Sequence, residues 1–283
     1  MSALSFARND WYPVADKAWL DSGGGSTRLL GERLEVWGSF DAPQVADANG
    51  RALPTQQKFG HIWTCLGEAP RPLFEVPEGD EQGRTLVPCG RVQVACSPLR
   101  AVENFLDIAH FPFVHTDVLG AEPHTQVEPY KVEIRESVDE VWATKVKFFQ
   151  PQAAKSAVGG ITTEYEYRVP HPTTAILYKS CPPKPQAQDV IAIFVQPVDQ
   201  VNCVVWPWMA LYDWETPYAD LVQFQQMIFL QDRSILENQR PKLLPLDPRM
   251  EIPTKADLTS VAYRRWLKAK GATYGATLDG GAR

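Results

Sequence analysis

YADLVQFQQMIFLQDRSILEN, residues 218–238, decides the fold class of this chain. Its apolar residues Leu221, Phe224, Ile228, Ile235 and Leu236 recur at helical spacing, and Pro241 closes the run. The sequence before it reads differently. Runs at 130–135, 141–149, 162–169, 175–180, 190–195 and 201–206 carry alternating or β-branched residues. Several are divided by Pro or Gly clusters, as in an antiparallel meander. A second helix is expected over 256–269, with Leu258, Val261, Ala262 and Trp266 on its apolar face. Strands followed by helices imply an α+β fold, with the long helix packed into a curved antiparallel sheet.

Upstream, RLLGERLEVW (28–37) and GHIWTCL (60–66) are the clearest strands. The polar stretch 38–57 and the charged VPEGDEQGR (76–84) read as loops. From Leu99 the pattern changes. Residues 100–110 suit a helix, with Val102, Phe105, Leu106 and Ala109 at helical spacing, and Pro112 interrupts it. The chain therefore divides into a β-rich region, 1–95, and a larger region, 96–283.

With 283 residues, 44% hydrophobic and 22% charged, the chain is long enough for one large domain and ordinary in composition. A net charge of −6 gives a nucleic-acid surface no support. The longest nearly apolar stretch, 201–212, is broken by Asn202 and Pro207 and is too short to span a bilayer. MSALSFARNDWYPVA lacks the order of a signal peptide, so a cytoplasmic location is expected. Five scattered cysteines form no C-x-x-C pair and read as free, buried thiols.

Of five histidines, two fall in NFLDIAHFPFVH, residues 104–115. Asp107 and His110, three apart, would share a helix face. His110 and His115, five apart, would splay by about 140° on a straight helix. A break at Pro112 can bring both imidazoles to one metal. Two imidazoles and one carboxylate make a facial triad with open coordination positions. Asp232 on the long helix is the candidate carboxylate, with Asp220 and Glu237 competing. On spacing alone, His110 and His115 also fit ordinary hydrogen-bonded histidines, and Asp232 a solvated helix charge.

Taken together, these residues resemble the catalytic α subunits of the Rieske non-haem iron oxygenases. NDWYPVA (9–15), RLLGERLEVW and GHIWTCLGEAP (60–70) resemble the opening and closing strands of the family's Rieske domain. Residues 104–115 resemble its iron-ligand helix, and FLQDRSILENQRP (229–241) the segment bearing the third ligand. The resemblance implies a helix-grip catalytic domain, START-like, behind a truncated Rieske-like β segment. It implies a mononuclear Fe(II) held by His110, His115 and Asp232. Asp107 would hydrogen-bond a ligand histidine and bridge incoming electrons, and Asn104 would stand near the iron. A Rieske cluster needs C-x-H and C-x-x-H pairs, and the sequence holds neither. His61 and Cys65 are too few and wrongly spaced to substitute. No 2Fe–2S cluster is therefore expected on this chain.

Electrons must then come from a Rieske-bearing reductase partner carrying the cluster, flavin and NADH site. DRSILENQRP and DLTSVAYRRWL (257–267) resemble the demethylases of bacterial methylxanthine breakdown, including cluster-lacking N7-demethylating subunits. The implied reaction is oxygen- and NADH-dependent N-demethylation of 7-methylxanthine to xanthine and formaldehyde. Phe111, Phe224, Met227 and Trp206 could line the substrate pocket, or could be plain core. The family's trimers imply an oligomer, trimer-based or heteromeric, with a sister or structural subunit as a further partner. Three other readings stay open: an O-demethylase or hydroxylase of another aromatic, a non-catalytic helix-grip subunit, and a zinc hydrolase.

Overall fold

The computed structural model describes residues 2–68, 70–152, 159–181, 184–247 and 249–278. Helix α1 (Ala3–Arg8) leads into strand β1 (Tyr12–Asp16) and the short helix α2 (Lys17–Asp21). Five strands follow: β2 (Gly25–Leu29), β3 (Glu32–Ser39), β4 (Ala42–Asp47), β5 (Thr55–Lys58) and β6 (His61–Thr64). They build two three-stranded antiparallel sheets, β1-β6-β5 and β2-β3-β4. Val14, Leu29, Leu34 and Ile62 join both in one apolar cluster.

Two expectations need correction here. The run 28–37 is a hairpin rather than one strand, because Leu30 and Gly31 both take positive φ (52° and 89°) and turn the chain. The stretch 38–57 is largely strand rather than loop. An antiparallel sheet needs only one apolar face, and in β4 Val45 supplies it, packed into that cluster, while Ala42, Pro43 and Gln44 stay at least partly exposed.

A larger sheet has eight strands: β7 (Thr85–Pro88), β8 (Val92–Val94), β9 (Lys131–Arg135), β10 (Glu140–Gln150), β11 (Ile161–His171), β12 (Thr174–Ser180), β13 (Gln188–Pro197) and β14 (Cys203–Leu211). The order is β7-β14-β13-β12-β11-β10-β9, with β8 also on β14, and every pairing is antiparallel. Strands β7 and β8 precede residue 95 yet belong to this sheet. Pro207 is tolerated inside β14 because it falls where β8 ends and β7 begins, so no ladder bond needs its missing N–H. Between the small sheets and β7, the charged loop 76–84 holds one 3-10 turn, Pro77–Gly79.

Every residue of β14 is buried, since both faces of the sheet are covered. The chain's other helices are α3 (Pro98–Leu106), α4 (Phe111–Val114), α5 (Tyr218–Asn238) and α6 (Leu258–Lys270). On one sheet face, Val195 and Val205 cluster with residues of α3, α5 and α6, among them Val102, Phe229, Leu236 and Trp266. On the other, Phe194, Trp206 and Trp208 meet Phe59 and Trp63 from the small sheets. Strand alternation sends neighbouring residues such as Val205 and Trp206 to these opposite faces.

Helix α5 has the expected bounds, but its buried stripe is Leu221, Gln225, Ile228, Phe229, Asp232 and Leu236. Ile235, expected on that face, is half exposed at 50%. Helix α6 begins at Leu258, after a 3-10 turn, Lys255–Asp257, capped by Thr254. It buries Tyr263, Trp266 and Leu267, while Leu258 faces outward. Among the described residues no helix is long and apolar enough to cross a membrane. All five cysteines are free and buried.

Candidate metal centre

Helix α3 stops at Leu106 because Asp107 turns to extended backbone (φ −83°, ψ 125°) and its Oδ1 accepts the Ala109 N–H at 2.8 Å. A short acidic side chain thus satisfies the backbone in place of the helix. Asp107 and His110 therefore do not share a helix face. They meet across this turn, with His110 Nδ1 3.1 Å from Asp107 Oδ2. Nor does Pro112 break a continuing helix. It stands in the first turn of α4, where a missing N–H costs nothing, and His110 is that helix's N-cap. His115 forms the opposite cap, and one tight helical segment faces both imidazoles inward.

The result is a small triangle. His110 Nε2 and His115 Nε2 are 3.1 Å apart, and α5 brings Asp232 Oδ1 to 3.2 Å and 3.0 Å from them. Each ring is held from behind. Nδ1 of His110 donates to Asp107, and Nδ1 of His115 donates to Gln231 Oε1 at 2.7 Å. With their protons on Nδ1, both Nε2 atoms present lone pairs to the triangle. Asp232 Oδ1 is buried, and no donor among the described residues is aimed at it. Three lone-pair atoms so close repel unless positive charge stands among them.

The spacing fits a cation well. Ligands about 2.1 Å from one ion and at right angles lie about 3.0 Å apart, whereas tetrahedral angles spread them to about 3.4 Å. The triangle has the facial, right-angled form. Its electrostatics ask for the same charge. Burial opposes a charged His110, yet the carboxylates of Asp107 and Asp232 outweigh it and lift the imidazole to about 9. Burial likewise opposes the Asp232 carboxylate, but His110 and His115 hold its pKa below the ordinary value. Among the described residues, His110, His115 and Asp232 are the group of donors close enough to share a metal. The competing acids are elsewhere. Glu237 accepts the Ala95 N–H and pairs with Arg233, and Asp220 lies three turns away, about 18 Å along α5.

A cavity of ≈ 110 Å³ opens from the triangle between α5 and the sheet. Phe111 and Phe224 line it, as expected. Met227 and Trp206 do not. Met227 follows Gln225 by two residues, which turns it to the outer side of α5, 43% exposed. Trp206 is sealed on the opposite face of the sheet, edge-on to His61. Asn104 lines both this cavity and a hollow of ≈ 410 Å³ beside Asp107 that reaches Arg264, Arg265 and Lys268.

The sequence reading missed several polar members of the site: Gln225, Gln231, Lys179 and Asp189. Gln225 was legible in principle, since it lies two turns before Asp232 and one turn after Leu221 on the same stripe. It is 7% exposed and lines the cavity. Lys179 follows Ala175 and Leu177 at strand spacing, so it too was placed to face inward.

Comparison with known proteins gives the family and the fold. Residues 94–273 match the vanillate O-demethylase oxygenase C-terminal domain. A probable methylxanthine N7-demethylase, NdmC of Pseudomonas sp. strain TJI-51, is 45% identical over 279 residues, covering 96% of this chain and 98% of that protein. The fold is shared with NdmA of Pseudomonas putida CBB5, solved with caffeine, at a TM-score of 0.75 and 17% identity over 99% of each chain. It is shared also with dicamba monooxygenase bound to dicamba, at a TM-score of 0.72 and 16% identity over 94% of this chain and 97% of that one. Likeness at these two levels of identity speaks for fold alone. Identity of 45% along nearly the whole length, joined to the match over 94–273, is decisive: the chain belongs to the Rieske-type non-haem iron oxygenases, as a catalytic subunit.

Proposed function

We propose that this chain removes the N7-methyl group of 7-methylxanthine, giving xanthine and formaldehyde, at a single Fe(II) held by His110, His115 and Asp232. The observation that carries the reading is the triangle of lone-pair atoms, 3.0–3.2 Å on each side, at one end of a largely apolar cavity. The substrate class comes from the 45% identical relative, described as a probable methylxanthine N7-demethylase. When bound, the iron would supply the activation of dioxygen. In balance, one oxygen atom enters a methyl C–H bond and the other leaves as water, using two electrons and two protons. The resulting N-hydroxymethyl group then splits to N–H and formaldehyde.

The residues have separable tasks. Phe111, Phe224 and Ile228 give a flat ring dry walls, and the Gln225 amide offers it a polar contact. Gln231 and Asp107 fix the two imidazoles through their Nδ1 protons. Asp107 and His110 both line the hollow that runs to Arg264, Arg265 and Lys268, so Asp107 is suited to receiving electrons from a docked donor. With no C-x-H or C-x-x-H pair in the sequence, that donor would be a reductase with its own Rieske cluster. We read the architecture as a helix-grip, residues 1–95 as a Rieske-like remnant, and the working unit as an oligomer.

The test is anaerobic loading with Fe(II), then oxygen, NADH, a Rieske-bearing reductase and 7-methylxanthine. Formaldehyde and xanthine should appear in equal amounts. Product from 4-hydroxy-3-methoxybenzoate instead would reassign the chain to O-demethylation.

A further inference from the structure

One feature of the cavity is unexplained by the metal centre. Lys179 on β12 and Asp189 on β13 are directly paired cross-strand neighbours, and Tyr165 on β11 is the partner of Lys179 on its other side. Both line the cavity that the triangle opens into. Their strand neighbours on the same face, Ala175 and Leu177 before Lys179 and Ile191 and Ile193 after Asp189, are core residues. An ammonium and a carboxylate thus interrupt an otherwise apolar face while only 8% and 9% exposed. As a device for stability such a pair is poor, since apolar residues of similar volume would serve as well or better.

Their setting is that of a recognition site. Asp189 Oδ1 accepts the Tyr212 N–H at 2.9 Å, which fixes the carboxylate plane. Burial draws the Lys179 ammonium down to about 8, against the pull of Asp189 and Cys181, and burial also raises the Asp189 carboxyl. The pair is tied to Tyr212, just past the end of β14, whereas the triangle is built from the ends of α4 and the second half of α5.

We infer that Lys179 and Asp189 read the ring edge remote from the reacting methyl group, Lys179 donating to a ring carbonyl and Asp189 accepting an adjacent ring N–H. The inference rests on the methylxanthine reading and sharpens it. Opposite N7, a xanthine ring carries a carbonyl flanked by two nitrogens, and methylating those nitrogens removes the N–H. A methyl group would then press against the carboxylate where the ring N–H would have donated. The pair therefore selects purine-diones that have already lost their methyl groups at the far ring.

Isothermal titration of the iron-loaded chain under argon tests this. The wild type should bind 7-methylxanthine at least about tenfold more tightly than 1,3,7-trimethylxanthine. Lys179→Met and Asp189→Asn should each reduce that preference to within about threefold, with iron content and thermal melting unchanged. Lys179→Gln provides a second variant should the methionine disturb the sheet. Variants that melt normally and keep the full preference overturn the inference while leaving the demethylase reading intact. A wild type that binds neither xanthine, or that prefers 4-hydroxy-3-methoxybenzoate, overturns both.

Discussion

The two faces of the eight-stranded sheet bury histidines in opposite ways. On the face toward the small sheets, His61 lies fully buried, edge-on to Phe194 and Trp206, and among the described residues neither ring nitrogen has a hydrogen-bond partner of good geometry. Burial dominates there and pushes its pKa to about 4, so the ring is held neutral. On the helix face, His110 keeps only 13% of its side chain exposed, yet two carboxylates outweigh its burial and lift it to about 9. Burial alone therefore does not distinguish a structural histidine from a functional one. The charges placed around the ring do.

The comparison can be broken first at Asp232. Replacing it with Ala should abolish stoichiometric iron binding and product formation, because two imidazoles alone leave the cation short of charge and ligands. Iron analysis after desalting, with formaldehyde detection, is the check. A variant that retained one tightly held iron would show that another group supplies the third ligand.

Asp107→Ala tests the layer behind the ligands. It should keep its iron but lose about 10- to 100-fold in turnover, since His110 would no longer be held in one tautomer. Single-turnover assays with a pre-reduced donor, set beside metal content, separate the two effects. Unchanged turnover would remove Asp107 from electron delivery and from ligand positioning.

On the opposite face, Phe194→Ala should leave the site alone and weaken the fold. Phe194 is fully buried among Phe59, Trp63 and His61, and truncation of such a ring costs about 3–5 kcal/mol. Urea denaturation measures the loss, and iron binding by the folded fraction should be unchanged.

The smallest effect concerns pH. His61 has a folded pKa of about 4 against an ordinary 6.5, so the unfolded chain binds more protons between those values. Its contribution is complete above pH 6.5 and is lost as pH falls toward 4, about 2 kcal/mol by pH 5. His61→Phe should flatten that part of the stability profile. An equal slope in wild type and variant would mean that His61 gains a proton partner in the folded state.

Much of this molecule was legible along the chain. The bounds of α5 and the strand meander before it follow from periodicity, while His110, His115 and Asp232 were singled out only by the resemblance of 104–115 and 229–241 to the oxygenases. The errors share a cause. The strands within 38–57 hide in polar sequence because one covered face suffices for a sheet. Trp206 and Met227 were assigned to the pocket by chemistry, although strand and helix parity turn them away from it.

Sequence by itself settled which side chains are available to bind iron and that no cluster-binding pairs exist, because both depend only on residue type and local order. Folding alone decided that Nε2 of His110, Nε2 of His115 and Oδ1 of Asp232 share one point, since Asp232 is more than a hundred residues from either histidine. It also decided that Lys179 and Asp189 stand side by side in the cavity, because cross-strand register is set by pairing across the sheet and leaves no mark on either strand alone.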